Sequence, residues 1–134
     1  MSFVLSKTSM SRLEGVHPDL VCVVKRAIEL TDVDFIVTEG VRTMKRQREL
    51  VAAGASKTLK GRHIPENNRS GMACAVDLAA YVGGKVNWSW PLYNKLATAM
   101  KQSAAELRVP IEWGGDWTSF KDGPHFQLPW KQYP

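Results

Sequence analysis

The sequence predicts an α+β fold, a small antiparallel sheet flanked by helices, on three observations. Helical and strand-like segments alternate along the chain, the strand-like ones are few and short, and from Gly114 onward turn formers replace any periodicity. Alternation by itself would suit a parallel α/β fold, but that architecture needs more strands than are legible here. With 134 residues and neither an internal repeat nor a low-complexity linker, residues 1–134 read as a single domain.

The first clear element opens at His17-Pro18-Asp19. Proline at the first helical position gives up an N–H that had no partner, and Asp19 suits the positive helix end. The helix runs to about Leu30, with Leu20, Val23, Val24, Ala27 and Ile28 recurring at helical spacing as its core face. Thr31-Asp32 breaks the pattern, Phe35 to Thr38 is β-rich, and a polar corner follows at Glu39-Gly40-Val41-Arg42. Thr43 to Ala53 predicts a second, mostly polar helix stopped by Gly54, and the stretch from there to Gly71 reads as a long loop. Ala73 to Ala80 predicts a strand of small residues, with Gly83-Gly84 as the corner of a hairpin. The last helix begins at Pro91 and turns Leu92, Leu96, Met100, Ala104 and Leu107 to one side, after which Val109 to Trp113 returns as a strand.

Composition narrows the function classes. Hydrophobic residues at 44% and charged residues at 23% exclude a disordered chain, and no apolar stretch approaches the ~20 residues of a membrane span. A formal charge of +5 favours polyanionic partners. The basic residues Lys25, Arg26, Lys45, Arg46, Arg48, Lys57, Lys60 and Arg62 are scattered as on a solvated surface, and no nucleic-acid fingerprint accompanies them. Nucleic acid is therefore not the expected partner. Cys22 and Cys74 both read as small buried hydrophobes rather than a disulfide, consistent with synthesis in a reducing compartment. Met1 to Met10 lacks the basic and apolar segments of a secretory signal, so a cytoplasmic protein released by another device is expected.

Histidine occurs only at 17, 63 and 125. His17 precedes a helix-starting proline and reads as structural. His63 lies in the long loop after Gly61-Arg62, and His125 ends Asp122-Gly123-Pro124-His125. Asp77 is out of place among Val76, Leu78, Ala79 and Ala80, because a half-buried carboxylate needs either a cation or backbone hydrogen bonds. Zinc held by two imidazoles and a carboxylate would keep a coordination position open for hydrolysis. Asp122, three residues before His125 across a Gly-Pro turn, would then stand close enough to move the proton of an attacking water.

Taken in order, Glu39-Gly40-Val41-Arg42-Thr43, His63, Ala75-Val76-Asp77-Leu78, Trp113-Gly114-Gly115-Asp116-Trp117 and Asp122-Gly123-Pro124-His125-Phe126 form a series. It resembles the phage-type L-alanyl-D-glutamate endopeptidases, endolysin-like zinc enzymes of the D-Ala-D-Ala carboxypeptidase and dipeptidase family with a Hedgehog-type fold. The resemblance implies one catalytic zinc, or another divalent ion, on His63, Asp77 and His125. It also implies Asp122 as catalytic base and Arg42 as the cation that stabilises the developing oxyanion. The implied substrate is bacterial peptidoglycan, cut between L-Ala and D-Glu by a monomer that reaches the periplasm or wall through a holin-like partner and does not insert stably in the membrane. Cleavage at D-Ala-D-Ala, or silent wall binding, are the alternatives on the same scaffold. Trp113 and Trp117 are expected to wall the cleft, and Asp116 is the second choice of base.

One departure stands out. The family spaces its first histidine and aspartate seven residues apart, in a pattern like Ser-x-His-x-x-Gly-x-Ala-x-Asp, whereas here they are fourteen apart and Gly61 replaces the serine. The expectation is that Ile64 to Ser70 loops out with His63 left in place, so that excising it is tolerated better than losing His63.

Overall fold

The computed structural model describes residues 2–56 and 58–134. In chain order the elements are α1 (Lys7–Arg12), α2 (Pro18–Leu30), β1 (Phe35–Glu39), α3 (Met44–Ala52), β2 (Ala75–Val82), β3 (Lys85–Asn87), α4 (Trp90–Leu107), β4 (Glu112–Trp113) and β5 (His125–Gln127), with 3-10 turns at Pro65–Asn67 and Gly114–Asp116. His17 caps α2 as its position suggested, its Nδ1 accepting from the Asp19 amide at 3.1 Å. Thr43 caps α3 by accepting from the Arg46 amide. Gly83 and Gly84, at φ +60° and +78°, make the tight β2–β3 hairpin turn that side chains resist.

All strand pairs are antiparallel, in the order β1-β2-β5-β4, with β3 paired to the far end of β2. The α+β reading therefore holds. The sequence did not reveal α1 or β5, since α1 is short and β5 is three residues inside a turn-rich tail, whereas β3 is the return strand of the hairpin expected at Gly83-Gly84. The strand expected from Val109 shrinks to Glu112–Trp113, because β5 offers only a short partner.

Alternation along the strands separates two faces. Phe35 and Val37 of β1, Val76, Leu78 and Ala80 of β2, Trp113 of β4 and Phe126 of β5 join one apolar core with Leu20, Val23, Val24, Leu96 and Met100 of α2 and α4. Asp77, His125, Gln127 and Glu112 alternate onto the other face. On β1 the register slips between Val37 and Glu39, and this bulge turns Glu39 to the polar face although strict alternation would send it inward. Two side chains assigned to the interior are outside it: Cys22 is exposed on α2, and Leu107 at the end of α4 is 42% exposed.

Arg62 reverses the surface expectation, being 2% exposed. Its guanidinium bonds the carbonyls of Leu128 and Tyr133 and Asn68 Oδ1, and lies 3.9 Å from the Trp130 ring centroid. Asn68 in turn donates to the carbonyls of Arg62, Ile64 and Met72. The segment Ile64 to Ser70 does leave His63 in place, but it is no loose loop. Ile64 is fully buried and Asn68 is a hub, so excision would remove core and take one hydrogen-bond partner from a buried guanidinium.

Candidate metal centre

Sheet register assembles the centre. Asp77 of β2 pairs across with Glu39 of β1 on one side and with His125 of β5 on the other, which sets three polar side chains in a row on one face. His63 reaches the same point from the loop, anchored by the Arg42 amide donating to its carbonyl at 2.9 Å. Asp77 Oδ1 stands 3.3 Å from His63 Nε2 and 3.3 Å from His125 Nδ1, and the ligand atoms of the three residues all lie within 4.8 Å of one another.

The far side of each ring is fixed. His63 Nδ1–H donates to the Gly40 carbonyl at 2.8 Å, and His125 Nε2–H donates to Gln127 Oε1 at 2.8 Å, Gln127 itself reaching Glu112 at 3.4 Å. With those tautomers, His63 Nε2 and His125 Nδ1 both present lone pairs towards Asp77 Oδ1. Three acceptors converging at such distances call for a cation between them, and two imidazoles with one carboxylate suit zinc. The residues fit the ion.

A second proton on the rings would meet Asp77 as a cation would: burial opposes charge on Asp77, but hydrogen bonds from His125 and His63 so protonated outweigh it and hold the carboxyl well below the usual carboxylate range. Burial would lower His125, yet the hydrogen bond and charge of Asp77 raise it. Asp122 moves the other way, pushed up first by burial and then by the Asp77 charge. Arg42 is raised chiefly by Glu39, to which Nε and Nη2 donate at 2.6 and 2.7 Å, and its Nη2 lies 3.7 Å from Asp77 Oδ2.

An open cleft of about 630 Å³ runs over this face, lined among others by Arg42, His63, Asp77, Trp117, Asp122 and His125. All five residues singled out from sequence for metal or catalysis therefore share one site. Trp117 lines it with its ring 5.2 Å from that of His125, whereas Trp113 belongs to the core and donates Nε1–H to the Gly123 carbonyl. Asp116 drops out as a base, since it pairs with Lys101 on the surface and does not line the cleft. Glu39, Gln47, Gln127 and Trp130 had no assigned role in the sequence, and only the motif around Glu39 hinted at one.

Two glycines explain their motifs. A Cβ on Gly40 would lie 2.2 Å from the Arg12 carbonyl, and one on Gly114 would lie 2.4 Å from that of Asp122. Each lets backbone approach where the site is built: Gly40 holds His63, and the Gly114 carbonyl accepts from the Asp122 amide at 3.0 Å.

A two-imidazole, one-carboxylate centre in an open cleft on a helix-flanked antiparallel sheet defines the class, that of zinc metallopeptidases. The profile of the phage L-alanyl-D-glutamate peptidases matches residues 1–128. The chain belongs to this family. It is 32% identical to the L-alanyl-D-glutamate peptidase of Escherichia phage T5, covering 91% of this chain and 87% of that protein. It is 31% identical to the peptidoglycan L-alanyl-D-glutamate endopeptidase CwlK of Bacillus subtilis, strain 168, covering 78% and 66%. Among solved structures, the Serratia marcescens L-Ala D-Glu endopeptidase ChiX superposes with a TM-score of 0.86 at 43% identity, over 96% of this chain and 92% of that one. The vancomycin-resistance D,D-dipeptidase VanXYg shares the fold at 12% identity and TM-score 0.50, over 84% and 50%.

Proposed function

We propose that this protein hydrolyses the bond between L-Ala and D-Glu in peptidoglycan stem peptides, with His63, Asp77 and His125 holding one zinc ion, Asp122 as general base and Arg42 as oxyanion partner. The observation that carries the reading is the convergence of the three ligand atoms beside Asp122 and Arg42 in one open cleft. Bound zinc would polarise the scissile carbonyl and acidify water.

The chain's own residues supply the rest. Asp122, whose affinity for protons is raised by burial, takes the proton of the attacking water and returns it to the leaving amine. Arg42 has five N–H donors, of which Glu39 and Gln47 occupy three. The remaining two are left for the carbonyl oxygen as it gains charge. Trp117 offers a flat wall for the peptide, and Lys60 and Lys121 in the same cleft suit a substrate bearing carboxylates.

Digestion of defined peptidoglycan fragments with and without chelator, read by mass spectrometry, tests this reading. New L-Ala carboxyl and D-Glu amino termini that vanish with chelator are expected. Release of terminal D-Ala instead would assign the scaffold to carboxypeptidase chemistry, and no product at all would leave a wall-binding module.

A further inference from the structure

Helix α3 buries one residue, and it is a glutamine. Met44, Leu50 and Val51 are half-buried and the other positions exposed, whereas Gln47 is 1% exposed. A helix that docks on a core ordinarily does so with an apolar stripe, so a lone buried amide is a feature that packing does not require. The bonds of that amide run in two directions. Oε1 accepts from Arg42 Nη1 at 2.8 Å, while Nε2 donates to Ser56 Oγ at 2.7 Å and to the Thr58 carbonyl. Both amide hydrogens are used, which leaves Gln47 none to offer a substrate. Ser56 and Thr58 line the cleft together with Lys60 and Gly61, and a Cβ on Gly61 would reach the Gln47 amide at ordinary contact distance.

We propose that Gln47 is a positioning residue that couples this wall of the cleft to Arg42, so that a peptide seated against Ser56 and Thr58 also sets the guanidinium. The inference rests on the reading of Arg42 as the oxyanion partner. Glu39 grips one edge of the guanidinium through Nε and Nη2 and fixes its plane. Rocking about that edge is stopped by the bond from Nη1 to Gln47, whose two amide hydrogens are held by the wall on the other side.

Three substitutions separate the two directions. Gln47→Glu keeps an acceptor for Arg42 and removes both donors to the wall, and Ser56→Ala removes one tether from the wall side. Both should raise KM on peptidoglycan fragments, by about tenfold and about threefold, with kcat little changed. Gln47→Leu cuts both directions and should also lower kcat by about tenfold or more. In an Arg42→Ala background that kcat effect should vanish while the KM effect stays.

Metal content and melting temperature act as controls for a merely structural loss. Amide exchange at Ser56 and Lys60 and the NMR signal of the Arg42 Nε–H give readouts that need no turnover. Gln47→Leu should loosen all of them, and Gln47→Glu the wall amides alone. If the protein cuts no peptidoglycan the functional reading fails, and these signals still decide the coupling. Unchanged exchange and an unchanged Arg42 signal in Gln47→Leu would overturn the proposal, as would an equal kcat loss without Arg42. Should Gln47→Leu not fold, unchanged wall exchange in both Gln47→Glu and Ser56→Ala would overturn it equally.

Discussion

Replacing Asp122 with alanine isolates proton transfer from everything else the site does. The substitution is structurally mild. The amide of Asp122 still donates to Gly114, its carbonyl still accepts from the His125 amide at 3.2 Å, and the Cβ that faces Gly114 remains. His125 is therefore held in register, and zinc should bind as before. Among the described residues no other carboxylate is placed to take over: Asp77 belongs to the cluster that can hold the metal, Glu39 is locked on Arg42, Glu112 is bonded by Gln127, and Asp116 lies outside the cleft on Lys101. Loss of a general base without substitute lowers turnover by about a hundredfold to ten-thousandfold. That is about 3 to 5 kcal/mol of barrier. The assay is steady-state release of L-Ala-terminated product from peptidoglycan fragments, on protein shown to hold one zinc per chain. Near-normal turnover in metal-loaded protein would refute the assignment.

Other outcomes follow from the same geometry. Gln127→Leu should free the His125 ring and weaken zinc binding by about tenfold to a hundredfold, measured by competition with a chromogenic chelator. His63→Ala should weaken it further, since two protein ligands hold catalytic zinc poorly, and a variant that keeps stoichiometric metal would exclude His63 from the ligand set. Asn68→Ala should cost about 2 kcal/mol or more in denaturant unfolding, because Arg62 and three carbonyls lose a buried partner. Excision of residues 64–70 should fail to give folded protein. The Tyr133 hydroxyl donates to Asp19 at 2.7 Å, and burial with that bond pushes its pKa up to about 12. A group raised on folding contributes stability below its unfolded pKa and loses it as pH climbs through the folded one. Tyr133→Phe should therefore cost about 1 kcal/mol at neutral pH, and the gap from the parent protein should close between about pH 10 and 12 in parallel denaturant titrations.

Much of this protein was legible from its order of residues. Helical periodicity gave α2 and its buried face, the His17-Pro18 signal gave its start, and the oddity of a carboxylate amid Val76 and Leu78 pointed to the metal centre. These are local or compositional signals, and they survive in one dimension because propensity and hydrophobic pattern are written residue by residue. The bulge that turns Glu39 to the polar face, and the register that seats Asp77 between Glu39 and His125, were not readable, since strand pairing is decided between segments far apart in the chain. Arg62 reads as a surface residue, and nothing in the sequence marks Asn68 or Gln47 as buried, because charge and polarity predict exposure on average. Only the tertiary structure shows them buried with their hydrogen bonds made, Arg62 by carbonyls from the far end of the chain and Asn68 and Gln47 by neighbours that the surrounding loops fold back onto them.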